Sequence, residues 1–279
     1  MIKIIDSHVH VWEPTRFHYA WLEGELNTPF LPADLPHVEA RTRGAVFVQA
    51  DCRDEEALAE VDWVSSLGPV WPALRAIVAA VQIELGDKVA GDLDQLRLRP
   101  LVKGVRRLFQ DRDDSFILSP QTLAGARSVA SAGLTFDACI RFGQLTALAE
   151  FAARVPELSI VLDHMGKPRI GDGHRELWSN GLRQLALQPN VTVKLSGAEA
   201  DPGRPLAPQA LPFIEETLQV FGAGRCMIGS DWPVSIRDSS GYEEWNDLIL
   251  DRALTGASDA ELEDVAWGTA ARFYGLEKG

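Results

Sequence analysis

Apolar, largely β-branched runs recur along the chain at residues 2–5, 44–48, 76–81, 101–105, 134–140, 158–162, 191–195 and 226–228. Each is hydrophobic almost without a break, as expected of a parallel strand buried on both faces rather than one with a wet side. They are spaced by about 30 residues, the size of one βα unit. Between them the apolar positions repeat with helical period. Ala57, Val61, Val64 and Leu67 form one stripe, with Asp54 placed to cap it. Leu145, Leu148, Ala152 and Val155 form a second, and Leu211, Ile214, Leu218 and Phe221 a third. Residues 86–99 keep the period more weakly through Val89, Leu93 and Leu96, and residues 259–273 read as one additional helix.

Eight strands alternating with helices, with no linker between them, predict an α/β fold: a (β/α)8 TIM barrel with an additional C-terminal helix, one domain over residues 1–279. An open doubly wound sheet is the alternative. That fold usually carries a Gly-rich turn after its first strand, whereas this chain reads Asp6-Ser7-His8-Val9-His10 there. The connection from 11 to 43 is long and carries Trp12, Phe17, Tyr19, Trp21 and Phe30, with a short helical patch expected at 34–41. Loops of that length in compact domains are lids or binding loops. A Pro-rich stretch at 201–208 is placed to close the other side of the same mouth.

Charge and composition narrow the partners. Twenty-seven basic against forty acidic residues leave a net charge of −13, which repels nucleic acid and anionic membranes. Three scattered cysteines (Cys52, Cys139, Cys226) with no CxxC pair suit neither a zinc knuckle nor a disulfide scaffold, and point to a reduced, cytoplasmic setting. The N-terminus resembles neither a signal peptide nor a membrane span.

In a parallel barrel, catalytic groups sit at the C-terminal ends of the strands. Strand one ends in His8-Val9-His10, and side chains two apart in an extended segment point the same way. Two adjacent imidazoles suit a divalent metal or the joint polarisation of a carbonyl oxygen. Strand six ends in Asp163-His164-Met165-Gly166 and strand eight in Gly229-Ser230-Asp231-Trp232-Pro233. Half of the chain's six histidines thus fall at strand ends together with a carboxylate. Arg106 and Arg107 end strand four, one facing the mouth and the other the helices, and a guanidinium at the mouth would hold a carboxylate or polyol oxygens. Gln49, Lys194, Trp232 and Trp21 complete the candidate substrate contacts, although Lys194 reads equally as a paired core lysine and Trp232 as core.

The run Ile5-Asp6-Ser7-His8-Val9-His10-Val11-Trp12 resembles the N-terminal signature of amidohydrolase-related proteins. Phe47-Val48-Gln49-Ala50, Leu162-Asp163-His164-Met165-Gly166-Lys167-Pro168, Val193-Lys194-Leu195-Ser196-Gly197 and Gly229-Ser230-Asp231-Trp232-Pro233 extend the likeness. Together with Gly268-Thr269-Ala270-Ala271-Arg272-Phe273-Tyr274, the set is similar to the sugar-lactonase branch: L-fuconolactonases, L-rhamnonolactonases and 2-pyrone-4,6-dicarboxylate lactonases. The resemblance implies that Asp231 is the general base toward water, and that His8, His10 and His164 stabilise the carbonyl oxygen, directly or through a metal. It implies one of two states: a weakly held zinc on His8, His10 and Asp231, or a metal-independent site. Strand five, Thr135-Phe136-Asp137-Ala138-Cys139, has no histidine, and Lys103 lies early on strand four, so a two-metal centre is not expected.

The implied activity is hydrolysis of a sugar-acid lactone, an ester-bond hydrolase acting on a small molecule, with homo-oligomerisation left open. A metal-dependent C–N hydrolase or decarboxylase of the same superfamily is the second reading. A non-catalytic sugar-binding barrel is the third.

Overall fold

Eight strands hydrogen-bond in chain order into one parallel sheet. In this computed structural model, which describes residues 2–35, 41–171, 173–198, 206–236 and 239–276, they are β1 (Ile4–Val9), β2 (Thr42–Val48), β3 (Leu74–Ala80), β4 (Val102–Leu108), β5 (Thr135–Cys139), β6 (Ile160–Leu162), β7 (Val191–Leu195) and β8 (Cys226–Ile228). The last strand returns to the first. Val9 bridges Trp232 in parallel, the His10 amide donates to the Trp232 carbonyl at 2.8 Å, and the Asp231 amide donates to the His8 carbonyl at 2.8 Å. The sheet is therefore a barrel, and its closing seam runs through the segments that hold His8, His10 and Asp231.

Helices α1 (Ala57–Ser66), α2 (Ala90–Arg97), α3 (Asp114–Ile117), α4 (Pro120–Ser131), α5 (Leu145–Arg154), α6 (Arg175–Ala186) and α7 (Leu206–Phe221) lie between successive strands. Local chemistry fixes several starts: Asp113 caps α3 through the Phe116 amide, and Ser119 caps α4 through the Thr122 amide ahead of Pro120. After β8 come α8 (Ser239–Asp247), α9 (Asp259–Glu263) and α10 (Thr269–Phe273). A π-helical turn, Asp264–Gly268, joins α9 to α10, so the tail is one continuous helical run opened by a Ser258–Glu261 capping box. No helix among the described residues is long and apolar enough to cross a membrane.

Two apolar layers hold the barrel. Ile4, Val9, Phe47, Ile77, Ala79, Val105 and Phe136 point outward against the helices. Ile5, Val46, Val48, Ala76, Val78, Val161 and Met227 fill the interior with Trp267, Ala270, Ala271 and Tyr274 from the C-terminal run, which packs into the barrel. All three cysteines are free and buried.

β1 and β4 run on past the C-terminal ends of their apolar runs, β1 through Asp6, Ser7 and His8 and β4 through Arg106 and Arg107, because barrel strands carry polar side chains near the mouth. The 11–43 connection holds a small aromatic core of its own, with Trp12, Phe17, Tyr19 and Leu22 buried against Ala50 and Cys52. Trp12 exchanges backbone hydrogen bonds with Phe30, and its indole N–H donates to the carbonyl of Thr28 at 2.9 Å and of Leu26 at 3.1 Å. A 3₁₀ turn at Pro32–Asp34 is observed; the rest of the patch expected at 34–41 lies largely outside the described residues. Of the stretch at 201–208, residues 201–205 lie outside them too, and 206–208 open α7.

Candidate active site

Ile4 and Val9 both belong to the outer core although they are an odd number of positions apart, which strict alternation forbids. A register shift between Asp6 and Val9 resolves the conflict and turns His8 inward. Asp6, buried beneath this kink, accepts from the Ser230 amide at 2.9 Å, the His8 amide at 3.2 Å and the Tyr242 hydroxyl at 2.8 Å. His8 Nε2 and His10 Nε2 then lie 3.1 Å apart. His10 Nδ1 is 2.7 Å from the Val48 carbonyl, which can only accept, so Nδ1 carries a proton and Nε2 faces the mouth.

His164 and Asp231 share an unusual backbone. Both are left-handed, with φ of 57° and 56°, a conformation rare for non-glycine residues and found at functional sites. The turn at Asp163–Gly166 swings the His164 ring across the barrel, where Nδ1 meets Ser196 Oγ at 2.9 Å. Gly197 makes room for it: a Cβ there would lie 2.1 Å from His164 Nδ1. Asp231 Oδ1 faces His10 Nε2 at 3.4 Å, His8 Nε2 at 3.6 Å and His164 Nε2 at 3.9 Å. Its other oxygen accepts from Ser235 Oγ at 2.6 Å, which fixes the carboxylate plane.

A charged layer lies on the inner side of these groups. Lys194 Nζ, fully buried, is 2.5 Å from Asp137 Oδ2, 3.1 Å from Asp163 Oδ1 and 3.2 Å from His8 Nδ1. Tyr274 donates to Asp137 Oδ2 at 2.9 Å. Arg106 reaches in from β4, with Nη2 donating to the Gln49 carbonyl at 2.6 Å and Nη1 3.4 Å from Asp163 Oδ2.

Comparison with known proteins decides the lineage. Residues 5–276 match the amidohydrolase family. The chain belongs to it. The L-fucono-1,5-lactonase of Burkholderia ambifaria is 32% identical over 98% of this chain and 96% of its own length. The namesake enzyme of Burkholderia multivorans is 34% identical over the same shares. An amidohydrolase crystal structure from Burkholderia multivorans with bound zinc superposes at a TM-score of 0.85, with 28% identity, 99% of this chain and all of that one covered.

In this amidohydrolase the site's charges follow from burial and contact. Burial, and then the neighbouring Lys194, hold the His8 imidazole well below its ordinary range, and burial brings His164 down to about 4. Burial alone would raise Asp231, but His164, His10 and His8 outweigh it and hold the carboxyl far below the usual range. Burial would also raise Asp163, but Lys194 and then His8 hold it well below. Asp137, on the same ammonium, is pushed up to about 6 by burial. At neutral pH the site thus presents neutral imidazoles at His8 and His164 beside an ionised Asp231.

The four residues expected to carry chemistry converge on the barrel end where β1 closes on β8. Of the pair on β4, Arg106 turns to the interior, while Arg107 turns outward to Glu84 and to Asp54 at 3.0 Å. Gln49 is buried and its side-chain oxygen accepts from the Asp51 amide, so it braces the turn after β2. Trp21 is half-buried, 5.3 Å from Trp12 between ring centres, with its indole bonded to the Ala50 carbonyl. Trp232 is fully buried against Phe30, and Lys194 is fully buried among Asp137, Asp163 and His8. Asp137, Asp163, Ser196 and Ser235 were not singled out as site residues. An aspartate inside an apolar strand was the available signal for Asp137.

Among the described residues, two clusters have the ligand chemistry for a cation, and they share His8: His8, His10 and Asp231 at the mouth, and His8, Asp163 and His164 beneath it. The first offers imidazole nitrogens and an ionised carboxylate oxygen, a donor set that suits zinc.

Proposed function

We propose that this protein hydrolyses a sugar-acid lactone to the aldonic acid. The observation that carries the reading is an ionised carboxylate, Asp231, with three imidazole nitrogens within 4 Å of one oxygen, in a chain similar along its whole length to two L-fucono-1,5-lactonases.

A lactone seated over the mouth presents its carbonyl oxygen to the imidazoles and its carbonyl carbon to a water beside Asp231. Asp231 takes a proton from that water as its oxygen bonds to the carbon. The carbonyl π electrons move onto oxygen, and the N–H groups at the mouth stabilise the charge that develops. Collapse of the tetrahedral intermediate breaks the bond to the ring oxygen, and Asp231 returns its proton to that oxygen. Arg106, one wall away, offers its guanidinium charge to the carboxylate so formed.

His8, His10 and Asp231 are the residues that would hold one zinc. When bound, such an ion supplies Lewis-acid polarisation of the carbonyl oxygen. The small-molecule substrate belongs to the aldonolactones as a class, with L-fucono-1,5-lactone the first to try.

The test is a pH-indicator screen of purified enzyme against aldonolactones, with and without chelator. Each ring opening yields an acid that ionises, so proton release above the spontaneous rate is the expected signal. Release of carbon dioxide from an aromatic acid, or turnover of amides alone, would move the protein to another branch of the family. Binding without turnover would make it a sugar-binding barrel.

A further inference from the structure

Side chains from four parts of the molecule converge on the end of β2. His10 Nδ1, just past β1, meets the Val48 carbonyl at 2.7 Å, and Arg106 Nη2 of β4 donates to the Gln49 carbonyl at 2.6 Å. Trp21 Nε1, from the β1–β2 connection, donates to the Ala50 carbonyl at 2.7 Å, and Glu60 Oε1 of α1 faces the Ala50 amide at 3.4 Å. The next residue, Asp51, is left-handed, with φ of 60°, and its amide donates to the Gln49 side chain. A non-glycine residue persists in that conformation where its surroundings over-determine it, and such residues gather at functional sites.

What this bracing presents is a carboxylate. The Asp51 side chain is exposed at the mouth end of the barrel and has no hydrogen bond or ion pair among the described residues. The charged groups around it are committed elsewhere. Asp54 pairs with Arg107 at 3.0 Å and Asp111 with Arg141 at 2.7 Å, while Arg106 turns to the Gln49 carbonyl and to Asp163. The surrounding rim excludes water and raises the Asp51 carboxyl, against the pull of Arg106 and then Arg107, so the group lies in a recess beside Arg106. Arg106 itself keeps one buried donor, Nε, without a partner. A free acceptor next to a spare donor is the complement of hydroxyl groups, which both donate and accept. A carboxylate also takes two adjacent hydroxyls at once through its two oxygens, and it repels a ligand that brings a carboxylate of its own.

We propose that Asp51 is a specificity-determining residue: it accepts hydrogen bonds from vicinal ring hydroxyls of the substrate and selects uncharged polyhydroxy lactones over lactones that carry a carboxylate. The assignment rests on the lactonase reading and narrows its substrate class. It gives Asp51 no part in bond breaking, so its loss weakens binding rather than the chemical step.

Direct binding tests it, with a panel of 1,5-anhydroalditols as probes: they have the ring hydroxyls of an aldonolactone and no ester to open. Asp51→Asn is the informative variant, because asparagine takes a left-handed backbone as readily as aspartate and keeps the turn. Calorimetry is expected to show the wild type binding at least one member of the panel, and Asp51→Asn binding it about tenfold or more weakly. D-Glucaro-1,4-lactone, which carries a carboxylate, is expected to bind Asp51→Asn more tightly than wild type. On any uncharged lactone that the wild type opens, the loss is expected in KM more than in kcat. A wild type that binds none of the panel overturns the proposal. So does a variant that binds the panel as well as wild type does, or one that loses both classes of probe to the same extent, which would make Asp51 a support of the rim. The anhydroalditol assay opens no ester, so a failed lactone screen and a failed binding result are separate outcomes.

Discussion

Asp231 is held in place through five contacts: three imidazole nitrogens on Oδ1, the Ser235 hydroxyl on Oδ2, and its own amide on the His8 carbonyl. Asp231→Asn keeps the shape and removes the base, so kcat is expected to fall by at least about 10²-fold with little change in Tm. Steady-state kinetics and a thermal melt check both halves, and a near-wild-type kcat would remove Asp231 from the mechanism. Gly197 is as exacting, for a steric reason. A Cβ 2.1 Å from His164 Nδ1, on a residue with φ of +60°, cannot be accommodated without moving the ring. Gly197→Ala is therefore expected to lower kcat by about 10-fold or more and to cost about 1–3 kcal/mol of stability. An unchanged kcat would show that the His164 ring position is not critical. The residues proposed to react were legible in the chain because histidine and aspartate at strand ends carry their chemistry in their type. Their supporters were not. Lys194, Asp137 and Asp163 are neighbours only through the barrel's register, and Arg106 could not be told from Arg107 until strand parity was known.

Among the elements, the β1–β2 connection has a buried anchor in Glu60 on α1. Its Oε1 accepts from the Tyr19 hydroxyl at 3.2 Å and faces the Ala50 amide at 3.4 Å, tying the connection and the end of β2 to one helix. Burial pushes this carboxyl up from 4.5 to about 7. The folded protein therefore keeps a proton that the unfolded chain has lost between those values. Glu60 thus contributes stability that is fully present below about pH 4.5 and disappears as pH rises through 7, about 3 kcal/mol in all. His164 works in the opposite sense between about 4 and its ordinary value of 6.5, so the comparison must be with a variant. Glu60→Gln is expected to flatten the decline in Tm between pH 5 and 8 relative to wild type, and parallel profiles would show that Glu60 does not titrate there. The strand and helix pattern was readable because buried parallel strands are apolar throughout. The ends of β1 and β4 escaped it, since their polar residues look like loop in a one-dimensional pattern.

Across the whole molecule, closure is the feature on which everything else depends. Asp6 stitches β1 to the segment after β8 through Ser230 and to α8 through Tyr242. Asp6→Ala leaves the Ser230 and His8 amides buried without that acceptor, and is expected to cost about 3 kcal/mol or more while depressing turnover, because the seam also sets the separation of His8 from Asp231. Denaturant melts together with kcat would show both effects, and a stability loss with kinetics intact would mean that the site tolerates an open seam.

His8 and His10 sit near one end of the polypeptide and Asp231 near the other, with the rest of the barrel between them. During synthesis the imidazoles leave the ribosome long before the carboxylate exists. If these residues react as proposed, a nascent or truncated chain lacking the eighth strand has no means of opening an ester, and hydrolytic competence arrives only with the finished fold. A split protein cut in an outer loop would report reassembly of its two halves by regaining turnover all at once.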